Sequence, residues 1–471
     1  MRARRCSVVS SLLVVVLGAA LPLIAGPGAQ TNGARVGIAA EPKWPTLGGN
    51  FRRDGQSGDF GPLEGGVRWK FETDGAVAGS VTVGSDGRIH LACEDGKLYT
   101  LDSDGSLVWV CDVNCALLTA PSIGSDGSLY VGDKDGKLCA VDPDGRLRWT
   151  YTTNGEIYSS PAVDAGGNVY VGSADGMLYA LNGQTGEELW QFRTKGAGLL
   201  FNGAIFASPS IGLDGTVYVA GLYDPSLYAL NPADGSIKWV CRFPANSDDP
   251  DTGGWSFVSP VVAKDGTIYQ TLLYDPNLYA IEPATGVIRW SVNLCDPHMF
   301  GGSANAPTAS DGWSEPVVAP DGTIYVSLDD PYLRAVHPSG ILRWVAHLGS
   351  LIEETSPWGW APDLTGISKS EEAAEEAGGF TLTVDGSGIV YAASDSGVIY
   401  VVSPGSLTIG EFTTGGWPAF PVIAADDLLI LADSKDYSSL NTGEKNAIWA
   451  IAPVSASTPT RGASRYVLEK P

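Results

Sequence analysis

The stretch Ser159–Trp190, SSPAVDAGGNVYVGSADGMLYALNGQTGEELW, decides the fold of this chain. It contains three short apolar runs, Pro161–Val163, Val169–Gly172 and Leu178–Leu181, separated by clusters rich in Gly, Asn and Asp. A fourth run, Glu187–Phe192, follows the last cluster. This pattern predicts four short antiparallel strands joined by tight turns. One such sheet cannot bury both faces alone, so the unit must pack against copies of itself.

Copies of this unit recur along the chain, each marked by a tryptophan in its outer strand. The gaps between successive tryptophans are 40, 40, 41, 49, 51 and 54 residues. A period near 40 with four strands per unit is typical of a β-propeller. The repeated tryptophans are Trp69, Trp109, Trp149, Trp190, Trp239, Trp290 and Trp344. The eight innermost strands begin near Val81, Pro121, Pro161, Pro209, Pro260, Pro316, Thr381 and Pro421. The sequence therefore predicts an all-β, eight-bladed propeller of four-stranded antiparallel blades.

The two ends of the repeat region predict how the ring closes. The outer strand Val67–Phe71, which contains Trp69, precedes the first innermost strand, whereas no tryptophan strand follows Ile451. We expect the Trp69 strand to complete the blade formed by residues 420–452, because this removes both open sheet edges. In the remaining outer strand, LTIGEF, Ile409 stands at the tryptophan position. The predicted divisions are a signal peptide (1–29), an extended segment (30–64), the propeller (65–453) and a tail (454–471).

The segment Ala180–Trp190, ALNGQTGEELW, resembles the tryptophan-docking motif of the pyrroloquinoline quinone (PQQ) repeat family. Weaker copies lie at Ala229–Trp239 and Ala280–Trp290, and Trp44–Asn50 resembles the entry segment of these proteins. The resemblance covers about residues 44–452. It implies that the repeat tryptophans lie between neighbouring blades, as structural residues. The family includes quinoprotein dehydrogenases, the propeller subunit of the outer-membrane assembly machinery and exported binding proteins, so the fold alone does not choose an activity.

The N-terminus and the overall charge predict the compartment. Arginines at 2, 4 and 5 followed by an apolar run and small residues predict a cleaved export signal, with a periplasmic or extracellular product. Cys6 lies within the charged region, which argues against a lipid anchor, and no later segment is long enough to span a membrane. The net charge of −24 argues against nucleic acid as a partner. We expect a monomer.

The cysteines and histidines of the chain do not predict a metal site. Six cysteines follow the signal, which permits disulfides in an exported protein, and Cys111–Cys115 and Cys241–Cys295 are the plausible pairs. No CxxC pair is present among them and the chain has four histidines, so zinc is not expected.

The connections between blades predict a binding face. The connection from each outer strand to the next innermost strand emerges on one face, and those at 193–208, 241–259, 291–315 and 345–379 are long. Long connections of this kind usually carry function, and here they are rich in aromatic rings suited to a sugar, a quinone or an apolar side chain. The opposing interpretation is that these rings pack the loops together. The binding candidates are Phe206, Trp255, Phe257, Phe300, Trp313, Glu315, Trp358, Trp360 and Trp417.

Aspartates recur on the same face, in the turns between the second and third strands of the blades. Such a ring of carboxylates could bind calcium, although Asp-Gly and Asp-Pro are also ordinary turn sequences. The residues are Asp95, Asp135, Asp175, Asp224, Asp275 and Asp330.

Two functions remain open from the sequence. The favoured one is an exported binding or scaffold module that captures a protein or glycan through the loop face, without a cofactor, a metal or catalytic residues. The alternative, implied by the resemblance, is a calcium-dependent PQQ dehydrogenase of alcohols or sugars. No two cysteines are adjacent, unlike in many of those enzymes, and only the positions of Asn305, Asp311 and Glu315 suit a role near the cofactor.

Overall fold

We describe the fold from a computed structural model of the chain. The described residues all belong to one compact unit, residues 39–471. Their ranges are 45–63, 66–195, 203–222, 224–244, 258–273, 275–295, 315–328, 330–348, 380–394, 397–405, 408–413, 417–418, 421–424, 428–434, 446–452 and 465–467. Within these ranges the structure is all-β, and it contains no helix with the length and apolar character needed to cross a membrane.

Eight sheets, the blades, are arranged as a propeller, which confirms the predicted fold class. In blades 1 to 7 the strands pair in chain order from the innermost to the outermost, and neighbouring strands are antiparallel. The first four blades follow one another without interruption. Blade 1 comprises β2 (Val77–Val83), β3 (Ile89–Cys93), β4 (Lys97–Leu101) and β5 (Leu107–Asp112), and blade 2 comprises β6 (Ser122–Ile123), β7 (Leu129–Gly132), β8 (Lys137–Val141) and β9 (Leu147–Thr152). Blade 3 comprises β10 (Ala162–Val163), β11 (Asn168–Gly172), β12 (Met177–Asn182) and β13 (Glu188–Arg193), and blade 4 comprises β14 (Ser210–Ile211), β15 (Val217–Gly221), β16 (Asp224–Leu230) and β17 (Ile237–Arg242).

The next three blades repeat this order. Blade 5 comprises β18 (Val261–Val262), β19 (Ile268–Leu272), β20 (Asp275–Ile281) and β21 (Ile288–Asn293), and blade 6 comprises β22 (Val317–Val318), β23 (Ile324–Ser327), β24 (Tyr332–Val336) and β25 (Leu342–His347). Blade 7 comprises β26 (Thr381–Val384), β27 (Val390–Ala393), β28 (Val398–Val402) and β29 (Thr408–Thr413), and the C-terminal strand β34 (Arg465–Val467) pairs in parallel with β29.

Blade 8 closes the ring with strands from both ends of the chain. Its strands are β30 (Trp417–Pro418), β31 (Val422–Ala424), β32 (Leu428–Ser434), β33 (Asn446–Ala452) and the N-terminal β1 (Gly66–Thr73). The outer strand β1 pairs antiparallel with β33, and Trp69 lies opposite Ala450. The predicted closure by the Trp69 strand is therefore confirmed. The boundaries predicted at residues 29, 64 and 453 stay predictions.

The core lies between the blades, because each sheet buries its apolar face against the next sheet. One cluster, for example, joins Tyr218 and Leu227 of blade 4 to Ile268 and Tyr279 of blade 5. The same arrangement repeats between the other blades. Apolar side chains are therefore shared between successive sheets around the ring.

Each repeat tryptophan contacts the next blade at the turn between its third and fourth strands. The Trp109 indole N–H donates to the Pro143 carbonyl at 3.1 Å, and an added Cβ on Gly145 would lie 2.6 Å from the Trp109 ring. Only glycine permits this approach, and Gly145 also has a φ of 81°. The other six tryptophans donate equivalent bonds at 2.8–3.0 Å, to Ser103, Gly183, Pro232, Pro283, Pro338 and Pro404.

Blade 7 lacks this tryptophan for a reason that the topology explains. Its equivalent residue, Ile409, faces blade 8, where the third strand is the C-terminal β33 and the fourth is the N-terminal β1. No turn joins these two strands, so there is no glycine turn for a tryptophan to contact. Ile409 packs instead against the apolar cluster that contains Ile451.

Candidate functional site

The elaborated face of the ring follows from the strand bounds. Since the four strands of a blade alternate in direction, every connection from an outer strand to the next innermost strand lies on one face, together with the turns between second and third strands. We call this the loop face. The connections at 113–121 and 153–161 have nine residues each, whereas those at 294–316 and 348–380 have 23 and 33. The additional chain therefore lies on the half of the loop face formed after blades 3 to 6.

The recurring aspartates of the loop face hold the strands that follow them. Asp175 accepts a 2.6 Å hydrogen bond from the Tyr179 hydroxyl, and Asp224 accepts one of 2.5 Å from Tyr228. Asp95 and Asp275 accept the equivalent bonds from Tyr99 and Tyr279. Burial and the hydrogen bond to the carboxylate raise the pKa of these tyrosines well above its usual value.

The same aspartates also anchor connections between blades, both the long one after blade 3 and the short one after blade 2. Asp224 accepts a bond from the Lys195 backbone, and Asp175 accepts one from the Asn154 backbone. In blade 6 an arginine replaces the tyrosine, and Arg334 forms a buried ion pair with Asp330. These carboxylates therefore have structural partners, which favours the turn interpretation over a calcium ring. Among the described residues, no group of three or more His, Cys, Asp or Glu is placed to hold a metal ion.

The segment 45–57 runs along the innermost strands, and we call it the strap. Its backbone carbonyls accept hydrogen bonds from the last residue of successive innermost strands or their equivalents. The donors are Ile123 to Pro45, Ile211 to Phe51, Val262 to Arg52, Val318 to Asp54 and Val384 to Gly55, at 2.7–3.0 Å. Because these donors belong to blades 2, 4, 5, 6 and 7, the strap occupies the centre of the ring near the turns that end the innermost strands.

Gly55 marks the closest approach of the strap to a blade. A Cβ at this position would lie 2.2 Å from Cγ1 of Val317, and the φ of Gly55 is 67°. Both the space and the backbone conformation therefore require glycine. The sequence predicted an extended segment here. It did not predict that this segment forms hydrogen bonds with five blades.

Arg53 extends from the strap toward the loop face. It is 1% exposed and has a φ of 57°, a left-handed conformation that is rare outside glycine. Its guanidinium donates to the carbonyls of Leu47, Ser160 and Pro209 at 2.8–3.0 Å. Burial lowers the pKa of Arg53 to about 10, against the opposing attraction of Glu315. A buried cation thus lies at the centre of the ring, with Glu315 as its acidic neighbour.

Glu315 belongs to a set of polar residues in blades 3 to 7 at the loop end of the channel, each of them one residue before the Pro, or in blade 7 the Leu, that opens the innermost strand. We call it the polar ring. The Ser160 N–H donates to the Ser208 hydroxyl at 2.9 Å, and the Ser208 N–H donates to the Ser259 hydroxyl at 3.0 Å. Ser259 donates both its N–H and its hydroxyl to the carboxylate of Glu315. Each bond joins one blade to the next, from blade 3 to blade 6.

This sequence of hydrogen bonds ends between blades 6 and 7. Oε2 of Glu315 and Oγ1 of Thr381, which stands at the equivalent position of blade 7, are both buried and have no hydrogen-bond partner among the described residues. Burial raises the pKa of the Glu315 carboxyl, whereas Arg53 and Ser259 oppose this shift. A buried polar atom without a partner costs free energy, so these two atoms mark a place where a polar group can bind.

The predicted aromatic residues are only partly within the described ranges. Phe206 is half-buried, and its ring meets the exposed ring of Tyr158 edge to face, with centroids 5.1 Å apart. Trp417 lies in β30, opposite Ser434. The other six aromatic candidates, Trp255, Phe257, Phe300, Trp313, Trp358 and Trp360, lie outside the described residues, as do Asn305 and Asp311.

Tyr158 is a loop-face residue that the sequence analysis missed, although a signal for it exists. It stands three residues before Pro161, and Phe206 stands three residues before Pro209. The repeats of blades 3 to 6 read YSSP, FASP, FVSP and WSEP, so an aromatic residue precedes each polar-ring residue by two positions. Tyr158, Phe206, Phe257 and Trp313 therefore occupy the same position in their repeats, which their distances along the chain do not reveal.

Neither predicted disulfide is present, because Cys111, Cys115 and Cys241 are free thiols. Cys241 packs between blades 4 and 5, whereas Cys295 packs between blades 5 and 6. The two cysteines therefore lie in different interfaces, and they also differ in register, since Val292 is the blade 5 equivalent of Cys241. Cys111 is buried between blades 1 and 2, while the Cys115 thiol interacts with Asp135 at the loop face. Burial raises the pKa of Cys241 to about 11.

The described residues fit calcium poorly. Calcium takes about six to eight oxygen ligands, whereas the described residues at the loop end of the channel offer the carboxylate of Glu315, with the Arg53 cation as its neighbour. The other positions considered, Asn305 and Asp311, lie outside the described residues.

Comparisons with known proteins agree with this architecture. The family model described as "Outer membrane protein assembly factor BamB" matches residues 118–271 and 203–468. A search of curated protein sequences gave no match.

Similar solved structures include both kinds of protein that the sequence analysis considered. BamB from Moraxella catarrhalis is 16% identical, with a TM-score of 0.60 over 83% of this chain and 100% of its own. Quinohemoprotein alcohol dehydrogenase from Comamonas testosteroni is 15% identical, with a TM-score of 0.64 over 92% of this chain and 84% of its own. Quinohemoprotein alcohol dehydrogenase ADHIIG from Pseudomonas putida HK5 is 16% identical, with a TM-score of 0.62 over 90% and 82%. At this identity the structures show the fold alone, whereas the family model covers well over half of the chain, and the protein therefore belongs to the PQQ-like β-propeller family.

Proposed function

We propose that this protein is an exported binding module that captures a protein or glycan partner through its loop face, without chemistry of its own. The observation that carries the proposal is the asymmetry of that face. The connections after blades 1 and 2 have nine residues each, whereas those after blades 3 to 6 are much longer. Ordering a long connection costs conformational entropy, which a binding role offsets.

The aromatic register of blades 3 to 6 supports the same assignment. Tyr158 is 41% exposed, so a large part of its ring is accessible to a partner. Its contact with Phe206 joins two neighbouring connections into one aromatic surface. Flat rings at the mouth of a channel suit a sugar ring or an apolar side chain of a partner.

The match to the assembly-factor family model also favours a binding role. A protein described as an assembly factor acts through interaction, and a propeller supplies a rigid surface for it. The dehydrogenase alternative has the two quinohemoprotein structures in its favour, but the central charge pair of Arg53 and Glu315 does not form a calcium site with the described residues. Export and the monomeric state are part of this proposal.

The test is to shorten the longest connection. Replacing residues 349–379 with a short Gly-Ser linker should leave the melting temperature nearly unchanged, since β25 ends at His347 and β26 begins at Thr381. The variant should lose retention on immobilised polysaccharides or on a column of exported proteins, while the wild type is retained. The control is a variant with a Gly-Ser linker of the same length inserted after Gly87, in a turn on the opposite face. This control should bind like the wild type.

Two results would contradict the proposal. Unchanged retention of the shortened variant would mean that the long connection is not the binding surface. Saturable, calcium-dependent quenching of tryptophan fluorescence by PQQ would favour the dehydrogenase, and assays with alcohols or sugars and a dye acceptor would follow.

A further inference from the structure

The polar ring is built so that each member satisfies its neighbour. Ser160, Ser208 and Ser259 are 2–3% exposed, and each makes a hydrogen bond to the equivalent residue of an adjacent blade. Blade 6 has Glu315 at this position, and a carboxylate has more hydrogen-bonding capacity than a hydroxyl. Ser259 donates both its N–H and its hydroxyl to the Glu315 carboxylate, and Oε2 of Glu315 has no hydrogen-bond partner among the described residues. Both bonds therefore go to Oε1, and Oε2 remains available as an acceptor.

The next member of the ring does not use that oxygen. Thr381 Oγ1 is buried and has no partner among the described residues, although its own hydroxyl could donate. The innermost strands of blades 6 and 7 contact each other, so these two groups are neighbours in the ring. Oε2 of Glu315 is a hydrogen-bond acceptor, and the Thr381 hydroxyl can both donate and accept. A single group that both donates and accepts could therefore bind to the two residues together. We call this place the blade 6–7 niche.

Charge balance selects the chemistry of that group. Arg53 and Glu315 are opposite charges that attract one another at the centre of the ring, so together they are neutral. A bound cation would leave a buried positive charge without compensation, and an anion would lie against the carboxylate; both are costly. An uncharged hydroxyl donates to Oε2 of Glu315 and accepts from Thr381 without changing the charge.

We propose that the blade 6–7 niche binds a hydroxyl group of an uncharged carbohydrate, with Glu315 and Thr381 as its hydrogen-bond partners. This rests on the proposed function and narrows its partner to a glycan. Arg53 is a positioning residue, which holds the Glu315 carboxylate through electrostatic attraction while its own N–H groups bind backbone carbonyls.

The experiment is calorimetric titration of the whole protein with methyl α-D-glucopyranoside and with maltotriose. Binding should be saturable, and Thr381→Val, which removes only the hydroxyl, should weaken it about fivefold to tenfold, the effect of one lost hydrogen bond between uncharged groups. Glu315→Gln should weaken it by a similar factor, and Thr381→Ser should restore it. The matched control is Thr82→Val, since Thr82 Oγ1 is also buried without a partner but lies on blade 1. Its affinity should equal that of the wild type.

Three outcomes would overturn the inference. Binding that is equal in Thr381→Val, Glu315→Gln and the wild type would place the sugar elsewhere. No binding of either sugar up to the solubility limit would mean that the niche holds only a buried water. Weakening by Thr82→Val as large as that by Thr381→Val would mean that the substitutions act through stability.

The result is separable from the proposed function. If the wild type retains a polymer and the shortened connection abolishes retention, while the niche variants bind normally, the loop face functions and the niche does not. If nothing is retained on any column but the small sugars bind with the expected pattern, the niche stands and the loop-face assignment fails.

Discussion

The two ends of the central channel differ in how their buried polar groups are hydrogen-bonded. At the strap end, Asp54 is 1% exposed, yet its carboxylate accepts from Asn50, from the Gln56 backbone and from Arg52. At the loop end, Oε2 of Glu315 and Oγ1 of Thr381 are buried and have no hydrogen-bond partner among the described residues. A fully paired carboxylate is suited to stability, whereas unpaired polar atoms retain binding capacity. The comparison supports placing the proposed binding site at the loop end of the channel.

The largest effect should come from the residue that connects the two ends. Arg53→Ala would leave three carbonyls without their donor and Glu315 buried without a counter-ion. Each buried acceptor that loses its donor costs about 1–3 kcal/mol, so the loss should reach several kcal/mol. Urea unfolding should show this loss in the free energy of unfolding. A loss below about 1 kcal/mol would mean that the strap does not support the ring.

The second effect tests the strap itself. Gly55→Ala forces a Cβ to within 2.2 Å of Val317 at a φ of 67°, and the overpacking and backbone strain should together cost about 2–4 kcal/mol. The matched control is Gly58→Ala, because no atom lies within 4 Å of a Cβ at Gly58. Thermal unfolding of both variants should separate them clearly. Equal melting temperatures would show that the strap is not seated against blade 6.

The smallest effect belongs to the loop end and depends on pH. Burial raises the folded pKa of Glu315 above the usual value of 4.5 for a glutamate, so the folded state holds this proton more tightly than the unfolded state does. The contribution of this group to stability is therefore most favourable below the unfolded pKa and declines as pH rises through the folded pKa. Glu315→Gln should remove that decline, so the two stability curves should converge in acid and separate above pH 4.5. Parallel curves would mean that the carboxyl is not buried.

The sequence predicted the fold because the fold repeats. A tryptophan every 40 to 54 residues, with three apolar runs between, was sufficient for the blade count and for closure by the Trp69 strand. The absence of a tryptophan at Ile409 was visible in the sequence, but its reason depends on blade 8 being formed from both chain ends. That information exists only once the ring is closed.

The site was less predictable, since it arises where different repeats meet. The bonds among Ser160, Ser208, Ser259 and Glu315 join residues more than 40 positions apart, and none is visible as a local motif. The aromatic register before each innermost strand could have been found by aligning the four repeats. The disulfide predictions failed for the opposite reason: similar positions in neighbouring blades suggested proximity, but the rotation from blade to blade places Cys241 and Cys295 in separate interfaces.

The closure of blade 8 limits when the ring can form during synthesis or export of the chain. The strap and β1 lie at the start of the chain, yet β1 pairs with β33, which ends at Ala452. A ribosome or a translocon that delivers the chain from its N-terminus releases the first outer strand long before its partner exists. Contacts this distant in sequence form late and slowly. The ring therefore cannot close before residue 452 has been delivered.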